Sequence, residues 1–443
     1  MEERTYIKDL KNKIGEEVSI SGWVSARRDH GKLIFVDLRD MSGMVQMVVL
    51  PNYVEAHQMA DKLRPEWVVE IKGKVNQRPD KMINKDEENG SFEIEVLEIK
   101  VISEAKELPF EREAELNLDT YLDYLPLTLR AEEKKTVFRV QAVILQAFRD
   151  FLISENFIEI QVPKIIGEDA EGGAEVFEIN YFKNKAYLAT SPQFYKQIMV
   201  GVFERVFTIG NVFRAEKHST TRHLNEYTSL DLEFGFIKDH HDIMNMETKL
   251  LQFIVKELGN KCQKEFALLK AELPKVPDEI PFMKLSEAQK VIKKEYGEDC
   301  LGEPDLEPQH ERWLCEYAKK EFNSDFIFIT HYPVEKRPMY TYEDESDKGF
   351  TKSFDLLFKG IEITTGGQRI HNYENLVKGI EKKGLNPEKF SFYLQAFKYG
   401  MPAHGGLGMG LERLTAKFLN VNNVKEVTLF PREINRIDTL LNK

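Results

Sequence analysis

Two short segments that alternate apolar with other side chains, separated by a long polar stretch, constrain the fold of this chain more than any other feature. Residues 202–213 (VFERVFTIGNVF) and 227–236 (YTSLDLEFGF) have the period of two that is typical of β-strands. The pattern predicts two antiparallel strands joined by a long loop.

The polar stretch between these strands is rich in groups that bind phosphate. Arg214 and Glu216 leave the first strand, Arg222 and His223 lie in the loop, and Tyr227 begins the second strand. Arginine forks bind phosphate oxygens and stabilise charge that shifts during phosphoryl transfer, and a tyrosine ring can stack on a purine. The segment is a candidate nucleotide site, although an exposed polar hairpin would have the same composition.

A glycine-rich stretch near the C-terminus supplies a second candidate phosphate contact. Residues 400–419 (GMPAHGGLGMGLERLTAKFL) run from glycines into an amphipathic helix that carries Arg413 in its first turns. Glycines let the backbone approach a ligand, and a helix N-terminus favours anions. No GK[ST] sequence follows at P-loop spacing, and the glycines alone would also fit a tight turn.

Together these two segments resemble motifs 2 and 3 of the class II aminoacyl-tRNA synthetases. A long predicted helix at about residues 131–155, followed by FIEIQVPKI with Pro163, resembles their motif 1. The resemblance covers nearly the whole chain and implies an α+β fold, a catalytic domain with an antiparallel sheet flanked by helices, and a homodimer. It also implies that Arg214 and Arg413 are the catalytic arginines that hold ATP.

The first hundred residues predict a separate five-stranded β-barrel. About five short alternating strands occur there, with a basic turn (Arg27, Arg28, Lys32) between the first two, which is the plan of an OB-fold. OB-folds stack single-stranded bases on aromatic rings and read their edges with polar groups. Phe35 and Gln46, with Arg28, are the candidate tRNA anticodon contacts; alternatively, Phe35 belongs to the barrel core and Gln46 to a solvated face.

The predicted domain order is an OB-fold anticodon-binding domain at residues 1–103, a polar hinge at 104–130 and a class II catalytic domain at 131–443. A charged, mostly helical insertion is expected at about residues 240–325. Its apolar residues recur at helical spacing, so we expect it to contribute packing and a rim rather than chemistry.

The overall charge and the cysteines exclude several classes of protein. A net charge of −12 argues against general nucleic-acid binding, which needs many basic contacts to phosphate, but it leaves local reading of bases open. The three cysteines are scattered and odd in number, which argues against a disulfide framework. The N-terminus lacks a signal-peptide core and no apolar run approaches a membrane span, so we expect a cytoplasmic protein with no membrane contact.

Three further segments resemble those of aspartyl-tRNA synthetases, particularly the archaeal-type enzymes. They are TSPQFYKQ from residue 190, EDAEGGAEVFE from residue 168 and SFDLLFKGIEITTGGQRIHN from residue 353. The resemblance implies an L-aspartate site formed by Glu171, Gln193, Phe194, Tyr195, Lys196, Arg214, Asp231, Thr365 and Arg369. Lys196 and Arg369 would hold the side-chain carboxylate, whereas Asp231, Gln193 and Glu171 would engage the ammonium group. A buried lysine is otherwise most often half of a structural ion pair.

The same resemblance implies an ATP site and a magnesium site. The ATP site would comprise Arg214, Ala215, Glu216, Arg222, His223, Leu224, Tyr227, Glu362, Gly410, Leu411, Glu412 and Arg413. Glu362, Thr365 and Asp355 would bind Mg²⁺, which prefers oxygen ligands. Many family members have serine in place of Thr365. An acidic pair on the surface that binds no metal would have the same sequence pattern.

A charge argument favours aspartate over asparagine. Asparagine would leave Lys196 and Arg369 without a counter-charge in a dry pocket. Asparaginyl-tRNA synthetases usually lack the lysine and follow the arginine with acidic residues, whereas Ile370 and His371 follow it here.

Three alternatives to an aspartate–tRNA ligase stay open at this point. One is an asparagine–tRNA ligase, and another is an ammonia-dependent asparagine synthetase built on the same core, although such relatives lack the OB domain. The third is a non-catalytic RNA-binding module, which the intact Arg214 and Arg413 argue against.

The choice of tRNA depends on two small residues in the predicted barrel. In archaeal-type enzymes that reject tRNA-Asn, a tryptophan and a lysine restrict the pocket for the third anticodon base. Here Ser25 and Pro79 occupy the corresponding positions and remove the steric and electrostatic obstacles. We therefore expect charging of tRNA-Asp and also of tRNA-Asn.

Overall fold

The chain forms two compact units, residues 1–115 and 116–443. The computed structural model describes residues 3–85, 87–111, 114–168 and 175–441. Within those ranges, no helix is long and apolar enough to cross a membrane.

The first unit is a closed five-stranded barrel, as predicted. Its strands are β1 (Glu17–His30), β2 (Leu33–Arg39), β3 (Met44–Val49), β4 (Val68–Gln77) and β5 (Phe92–Ser103), with helix α1 (Val54–Lys62) between β3 and β4 and a short 3₁₀ helix at Ile7–Lys13. Neighbouring strands follow the order β1-β2-β3-β5-β4, and only β3 and β5 pair in parallel among these neighbours. The connectivity is that of an OB-fold.

Strict alternation of side chains closes the barrel around one apolar core. In β2, Ile34, Val36 and Leu38 are buried while Phe35 and Asp37 are only partly covered. Successive side chains of a strand point to opposite faces, so the second set faces outward. The barrel core therefore leaves Phe35 available on the outer surface.

The second unit contains most of the remaining elements, among them eleven described strands. Three of them form a small sheet: β7 (Ile165–Ile166), β8 (Glu178–Tyr181) and β9 (Asn184–Leu188). Strands β8 and β9 form a hairpin, and β7 pairs with the other side of β9. The other eight are β6 (Ile158–Glu159), β10 (Arg205–Phe213), β11 (Glu226–Gly235), β12 (Phe282–Lys284), β13 (Phe326–Thr330), β14 (Ser353–Phe358), β15 (Ile361–Gln368) and β16 (His404–Gly410). They form one sheet in the order β12-β13-β14-β15-β16-β11-β10-β6.

The second unit also contains eleven described α-helices, several of which pack on this eight-stranded sheet. They are α2 (Leu118–Asp123), α3 (Leu125–Thr128), α4 (Glu132–Ser154), α5 (Gln193–Phe203), α6 (His240–Lys261), α7 (Gln263–Leu268), α8 (Leu285–Tyr296), α9 (Pro308–Phe322), α10 (Tyr373–Lys382), α11 (Ser391–Lys398) and α12 (Leu411–Phe418). The largest apolar core joins α4, α6 and α12 to the sheet, with Phe148, Phe207 and Leu232 among its fully buried residues. The predicted α+β class is confirmed.

Three details differ from the sequence-based expectations. The central pairs of the sheet are antiparallel, but its edge pairs β12–β13 and β6–β10 are parallel. The predicted hinge contains α2 and α3, which belong to the second unit. The predicted insertion, expected to be mostly helical, also contributes the edge strand β12 to the main sheet. Tertiary packing of apolar faces overrides the polar composition that suggested a linker.

Buried Glu247 of α6 makes the stability of the fold depend on pH. Its side chain is fully buried and neither carboxylate oxygen has a hydrogen-bond partner among the described residues. Burial raises its pKa from 4.5 to about 8. The unfolded chain therefore releases this proton at a lower pH than the folded protein does, and the residue costs stability as the pH rises from about 4.5 to about 8.

We expect Glu247→Gln to remove this pH-dependent loss. The variant should gain stability over the parent as the pH rises from 5 to 8, by an amount on the order of 1–3 kcal/mol, because the amide has no charge to bury. Urea unfolding at pH 5 and pH 8 measures the difference. Glu316→Gln, at an exposed position of α9, is the control; equal pH profiles for parent and E247Q would contradict the assignment.

Candidate active site

A cavity of about 320 Å³ lies over the central strands of the second unit. Its walls come from the loop between β10 and β11, from β15 and β16, and from the start of α5 and α12. The lining residues foreseen from the sequence are Gln193, Lys196, Arg214, Glu216, Arg222, His223, Leu224, Tyr227, Asp231, Glu362, Thr365, Arg369, Gly410, Glu412 and Arg413. The structure thus brings together residues that are more than two hundred positions apart.

Strand β11 carries the floor of this cavity. Ser229, Asp231 and Glu233 share one face of the strand, while Leu230 and Leu232 point into the apolar core. Glycines of β16 face the two carboxylates: a Cβ at Gly406 would lie 2.3 Å from Glu233 Oε2 and 2.1 Å from Leu232 O. The glycine-rich stretch is therefore required for packing against β11 as well as for approach to a ligand.

Four buried charged groups form an ion-pair cluster at one end of the cavity. Lys196 Nζ lies 2.7 Å from Asp231 Oδ1 and 3.6 Å from Glu233 Oε2, and Arg369 Nε lies 2.9 Å from Glu233 Oε1. Gln193 donates to Glu233 Oε2 at 3.3 Å. Burial opposes ionisation of Glu233, but Arg369 and Lys196 outweigh it and lower its pKa. Glu233 is thus held in its ionised form between two cations.

This cluster corrects the charge argument made from the sequence. That argument treated Lys196 and Arg369 as cations awaiting a substrate carboxylate, whereas the structure gives each a carboxylate of the protein. Glu233 was missed. The available signal was an acidic residue two positions after Asp231 in an otherwise apolar strand, which places both carboxylates on one face.

The other end of the cavity gathers cations. Arg413 Nη1 donates to the backbone oxygen of Glu362 at 3.0 Å, and its Nε donates to the backbone oxygen of Arg222 at 3.3 Å. The Arg214 guanidinium lies 5.7 Å from the centre of the Tyr227 ring. Burial and the neighbouring Arg413 and Arg222 lower the pKa of His223 to about 4. His223 is therefore neutral at pH 7 and offers hydrogen bonds rather than charge.

Glu311 of α9 is a site residue that the sequence did not indicate. Its Oε2 accepts hydrogen bonds from Arg222 Nη2 and, at 3.0 Å, from the backbone nitrogen of Glu362. Burial raises its pKa to about 7, against the effect of Arg222. The residue lies in the segment expected to supply packing and a rim rather than chemistry, and no local pattern distinguishes it from the other acidic residues of that segment.

The predicted metal ligands lie on the hairpin of β14 and β15. Thr365 Oγ1 donates to Glu362 Oε1 at 2.8 Å, and Asp355 pairs with Thr365 in register. Arg337 Nη2 donates to Asp355 Oδ2 at 2.7 Å, while Asp355 Oδ1 is buried with no hydrogen-bond partner among the described residues. Burial raises the pKa of Asp355 to about 6 despite Arg337.

These oxygens fit a hard cation such as Mg²⁺. Although burial opposes ionisation, Arg413 and the hydroxyl of Thr365 lower the pKa of Glu362. An ionised Glu362, a hydroxyl and the unpartnered Asp355 oxygen make a suitable donor set. Glu362 and Thr365 line the cavity, whereas Asp355 does not, and Arg337 is an additional neighbour of Asp355.

Several predicted binding residues lie outside the cavity. In α5 the buried face is formed by Gln193, Lys196 and Gln197, so helical periodicity turns the intervening Phe194 and Tyr195 elsewhere, and neither lines the cavity as described. Phe194 stacks on Tyr393 with ring centres 4.3 Å apart.

The remaining exceptions have backbone or core roles. Ala215 N donates to Glu175 O at 2.9 Å, and Leu411 is buried in the main apolar core. Glu171 lies outside the described residues.

The candidate anticodon residues of the first unit lie together on the outer face of the barrel. Arg28 pairs with Phe35 and Asp37 with Gln46 in register. Arg28 donates to both carboxylate oxygens of Asp37, at 2.6 and 2.8 Å. Gln46 donates to Glu93 Oε2 at 3.2 Å. Arg28 lies within β1 rather than in the turn, and Phe35 lies outside the barrel core.

The two predicted discrimination residues differ in exposure. Ser25 is 8% exposed at a bulge of β1, and Arg39 Nη1 lies 3.4 Å from its hydroxyl. Pro79 is exposed just after β4 and precedes a short 3₁₀ helix at Asp80–Met82. Neither side chain carries a charge.

Two family comparisons cover most of the chain. Residues 117–434 match the family described as tRNA synthetases class II (D, K and N), and residues 18–102 match the OB-fold nucleic acid binding domain. These matches confirm the family resemblance and the barrel class expected from the sequence.

Full-length relatives agree with these matches. The chain is 44% identical over 442 residues to the Aspartate--tRNA(Asp/Asn) ligase of Thermus thermophilus, covering 98% of this chain and 99% of the relative. It is 38% identical over 429 residues to the Aspartate--tRNA(Asp) ligase of Pyrococcus abyssi, covering 96% of each.

Solved structures share the whole architecture. The asparaginyl-tRNA synthetase from Pyrococcus horikoshii complexed with asparaginyl-adenylate superposes with a TM-score of 0.91 at 30% identity, covering 99% of this chain and 100% of that chain. The aspartyl-tRNA synthetase from Entamoeba histolytica has a TM-score of 0.87 at 30% identity, covering 98% and 93%.

Glu233→Gln tests the role of the ion-pair cluster in the fold. The variant leaves Arg369 and Lys196 short of one buried counter-charge, so we expect the free energy of unfolding at pH 7 to fall by about 3–5 kcal/mol. Urea denaturation measures this loss, with Glu381→Gln at an exposed position of α10 as the control. Because the folded pKa of Glu233 lies below 4.5, its contribution is present above that pH and is lost as the pH falls through the folded pKa. A loss below about 1 kcal/mol would contradict a structural role.

Proposed function

The chain belongs to the class II tRNA synthetases of the aspartate, lysine and asparagine group, and on that premise we propose that it is an aspartate–tRNA ligase. It activates L-aspartate with ATP and transfers the aspartyl group to the 3′ end of tRNA. The observation that carries this proposal is the buried cluster of Lys196, Asp231, Glu233 and Arg369 in the cavity of a chain 44% identical to an aspartate–tRNA ligase.

An exchange of ion partners supports aspartate as the substrate. The ammonium group of an amino acid can take the place of Lys196 beside Asp231, which then leaves Lys196 and Arg369 to share the single carboxylate of Glu233. The side-chain carboxylate of aspartate supplies a second anion, so the buried charges stay balanced. Asparagine brings the ammonium group but no side-chain carboxylate, and it would leave two buried cations with one carboxylate, an imbalance that typically costs several kcal/mol.

Arg369 is held for a second contact to the same carboxylate. Its Nε donates to Glu233, and its Nη2 donates to the backbone oxygen of Gly406 at 2.9 Å. These two bonds fix the plane of the guanidinium before any substrate arrives. Pre-organised donors of this kind lose little entropy on binding and strengthen specificity.

Activation of aspartate relies on positioning and electrostatics. The α-carboxylate attacks the α-phosphorus of ATP, which expels pyrophosphate and leaves aspartyl-adenylate. Arg214 lies where it can stabilise the charge on the α-phosphate, and Arg222, neutral His223 and Arg413 lie at the end where the outer phosphates are held. Tyr227 offers a face for adenine. Such preorganised donors account for much of the rate in phosphoryl transfer.

Magnesium completes the activation site. The residues that would hold Mg²⁺ are Glu362, Thr365 and Asp355, and the ion would neutralise charge on the phosphate chain when bound. Arg337 positions Asp355 through one oxygen and leaves the other oxygen for the metal.

The OB-fold supplies the contact to the tRNA anticodon. Phe35 presents a partly exposed ring for stacking on a base, and Arg28 and Gln46 flank it on the same face. Asp37 and Glu93 hold these two polar side chains in place before RNA binds. The arrangement suits a single unstacked base read on its edge.

We extend the proposal to tRNA-Asn as a second substrate besides tRNA-Asp. Ser25 and Pro79 are small and uncharged where a bulky ring and a lysine would exclude the third base of the Asn anticodon. The relatives include ligases named for both tRNAs and ligases named for tRNA-Asp alone. The Thermus thermophilus protein is an Aspartate--tRNA(Asp/Asn) ligase, and the Pyrococcus abyssi protein is an Aspartate--tRNA(Asp) ligase.

The homodimer implied by the motif 1 resemblance stays a prediction. Its support is β6, an edge strand of the main sheet that follows α4. Ile158 in that strand is 44% exposed and Ile153 in α4 is 58% exposed. A second copy would cover this apolar edge.

Aspartate-dependent exchange of pyrophosphate into ATP tests the activation step. We expect exchange with aspartate to exceed exchange with asparagine by at least about a hundredfold, as the exchange of ion partners requires. Lys196→Met should abolish use of aspartate, whereas Lys294→Met, at a side chain 82% exposed on α8, should have no effect. If asparagine supports exchange at the same rate as aspartate, the proposal is wrong and the protein is better described as an asparagine–tRNA ligase.

Charging of tRNA transcripts tests the second substrate. We expect purified enzyme to charge tRNA-Asp and tRNA-Asn with labelled aspartate at efficiencies within about tenfold of each other, a difference of at most ~1.4 kcal/mol. Pro79→Lys, at an exposed position, should lower charging of tRNA-Asn more than that of tRNA-Asp, because it restores a charged obstacle without disturbing the buried contact of Ser25 with Arg39. A parent enzyme that charges tRNA-Asn a hundredfold less well would refute the proposal for tRNA-Asn and leave that for tRNA-Asp intact.

A further inference from the structure

A second, smaller cavity of about 140 Å³ lies behind the cation-rich end of the active site. We term it the distal pocket. Its charged lining residues are Arg222, Arg312, Lys359, Arg413 and Lys417, and no carboxylate occurs among the lining residues described. Five cations around so small a space create a strong positive potential.

Three of these cations have no carboxylate partner in the described part of the chain. Lys359 Nζ donates only to neutral oxygens, Lys417 O at 3.3 Å and Asn420 Oδ1 at 3.1 Å. The Lys417 ammonium makes no hydrogen bond or ion pair with a described residue, and Arg312 donates to the amide oxygen of Gln309. Glu311 and Asp325 influence the two lysines only from outside the lining. The positive charge of the pocket is therefore only partly compensated by the described residues.

Both lysines are partly buried, so an anion in the pocket would stabilise their charged forms. Burial lowers the pKa of Lys359 and of Lys417, because their charge is separated from solvent. Gly360 keeps the walls close: a Cβ there would lie 2.9 Å from Arg312 Cγ, and its φ of +83° favours glycine. The turn between β14 and β15 thus holds Lys359 against α9 and α12.

The distal pocket is continuous with the nucleotide end of the active site. Arg222 and Arg413 line both cavities, as does Val424. Arg413 Nε also donates to the backbone oxygen of Arg222 at 3.3 Å, which joins the two arginines in the wall between the cavities. An anion held by them on the active-site side has further cations directly behind it.

We infer that the distal pocket binds the pyrophosphate that leaves ATP, as a release site beyond the reaction site. This inference rests on the proposed function for its source of pyrophosphate, but binding of the anion itself requires only the pocket. A small oxyanion fits a concave space of about 140 Å³, and the two arginines shared with the active site link the pocket to the phosphate chain of a nucleotide rather than to a long RNA strand. Lys359 and Lys417 are the binding residues specific to this pocket, since the arginines serve both cavities.

Calorimetric titration of the full chain with sodium pyrophosphate, and separately with inorganic phosphate, tests the inference. We expect Lys417→Gln and Lys359→Gln each to weaken pyrophosphate binding by about tenfold, the loss expected for one charge-assisted contact. Inorganic phosphate should bind the parent protein more weakly than pyrophosphate does, and the two substitutions should reduce its affinity by a smaller factor. Lys320→Gln, with a side chain 70% exposed on α9, is the control and should bind as the parent does.

A kinetic readout separates this pocket from the reaction site. In K417Q and K359Q the inhibition constant of pyrophosphate in tRNA charging should rise about tenfold while KM for ATP changes by less than about twofold. Unchanged pyrophosphate binding in both variants overturns the inference, as does weaker binding of tRNA without weaker binding of pyrophosphate. A parent that binds pyrophosphate through these lysines but lacks aspartate-dependent exchange refutes the proposed function alone.

Discussion

Two buried carboxylates and two buried cations share one face of the central sheet, and their mutual neutralisation is the constraint on which the site depends. Asp231 and Glu233 of β11 would be prohibitively costly to bury alone, and so would Lys196 of α5 and Arg369 beyond β15. Together they are stable and require that α5, β11 and the end of β15 meet at fixed distances. Glycines of β16 leave the space for the carboxylates. The chemistry of the amino acid site and the packing of the sheet are thus one arrangement.

Buried charge also shapes the other end of the cavity, but there the charges do not neutralise one another. There the cations outnumber the carboxylates, since Arg214, Arg222, Arg312, Arg413 and Lys417 are opposed mainly by Glu311, Glu216 and Glu362. Glu311 accepts a hydrogen bond from Arg222, and burial raises the pKa of this carboxylate to about 7. An excess of positive charge suits a polyanion that arrives as substrate and departs as product. Balance in one half of the site and imbalance in the other follow from the charges of the two substrates.

Sequence patterns predicted much of this site because its chemistry is concentrated in short segments. The hairpin with Arg214 and Arg222, the glycine-rich strand before Arg413 and the barrel with Phe35 on its outer face all have local signatures. The prediction for α5 was less accurate, because four successive residues were assigned to the ligand where the helical period directs only Gln193 and Lys196 toward it. Glu233 and Glu311 were missed since each acts through a partner distant in sequence.

The sequence by itself determined the α+β class, the family and the identity of most groups that line the cavity, because strand alternation and motif spacing are local properties of the chain. Only the tertiary structure decided that Lys196 and Arg369 already have protein carboxylates, that α9 contributes Glu311, and that Lys359 and Lys417 share a pocket behind the arginines. Electrostatic energy depends on distances between side chains and on their exclusion from water. Neither quantity exists until elements far apart in the sequence have packed together.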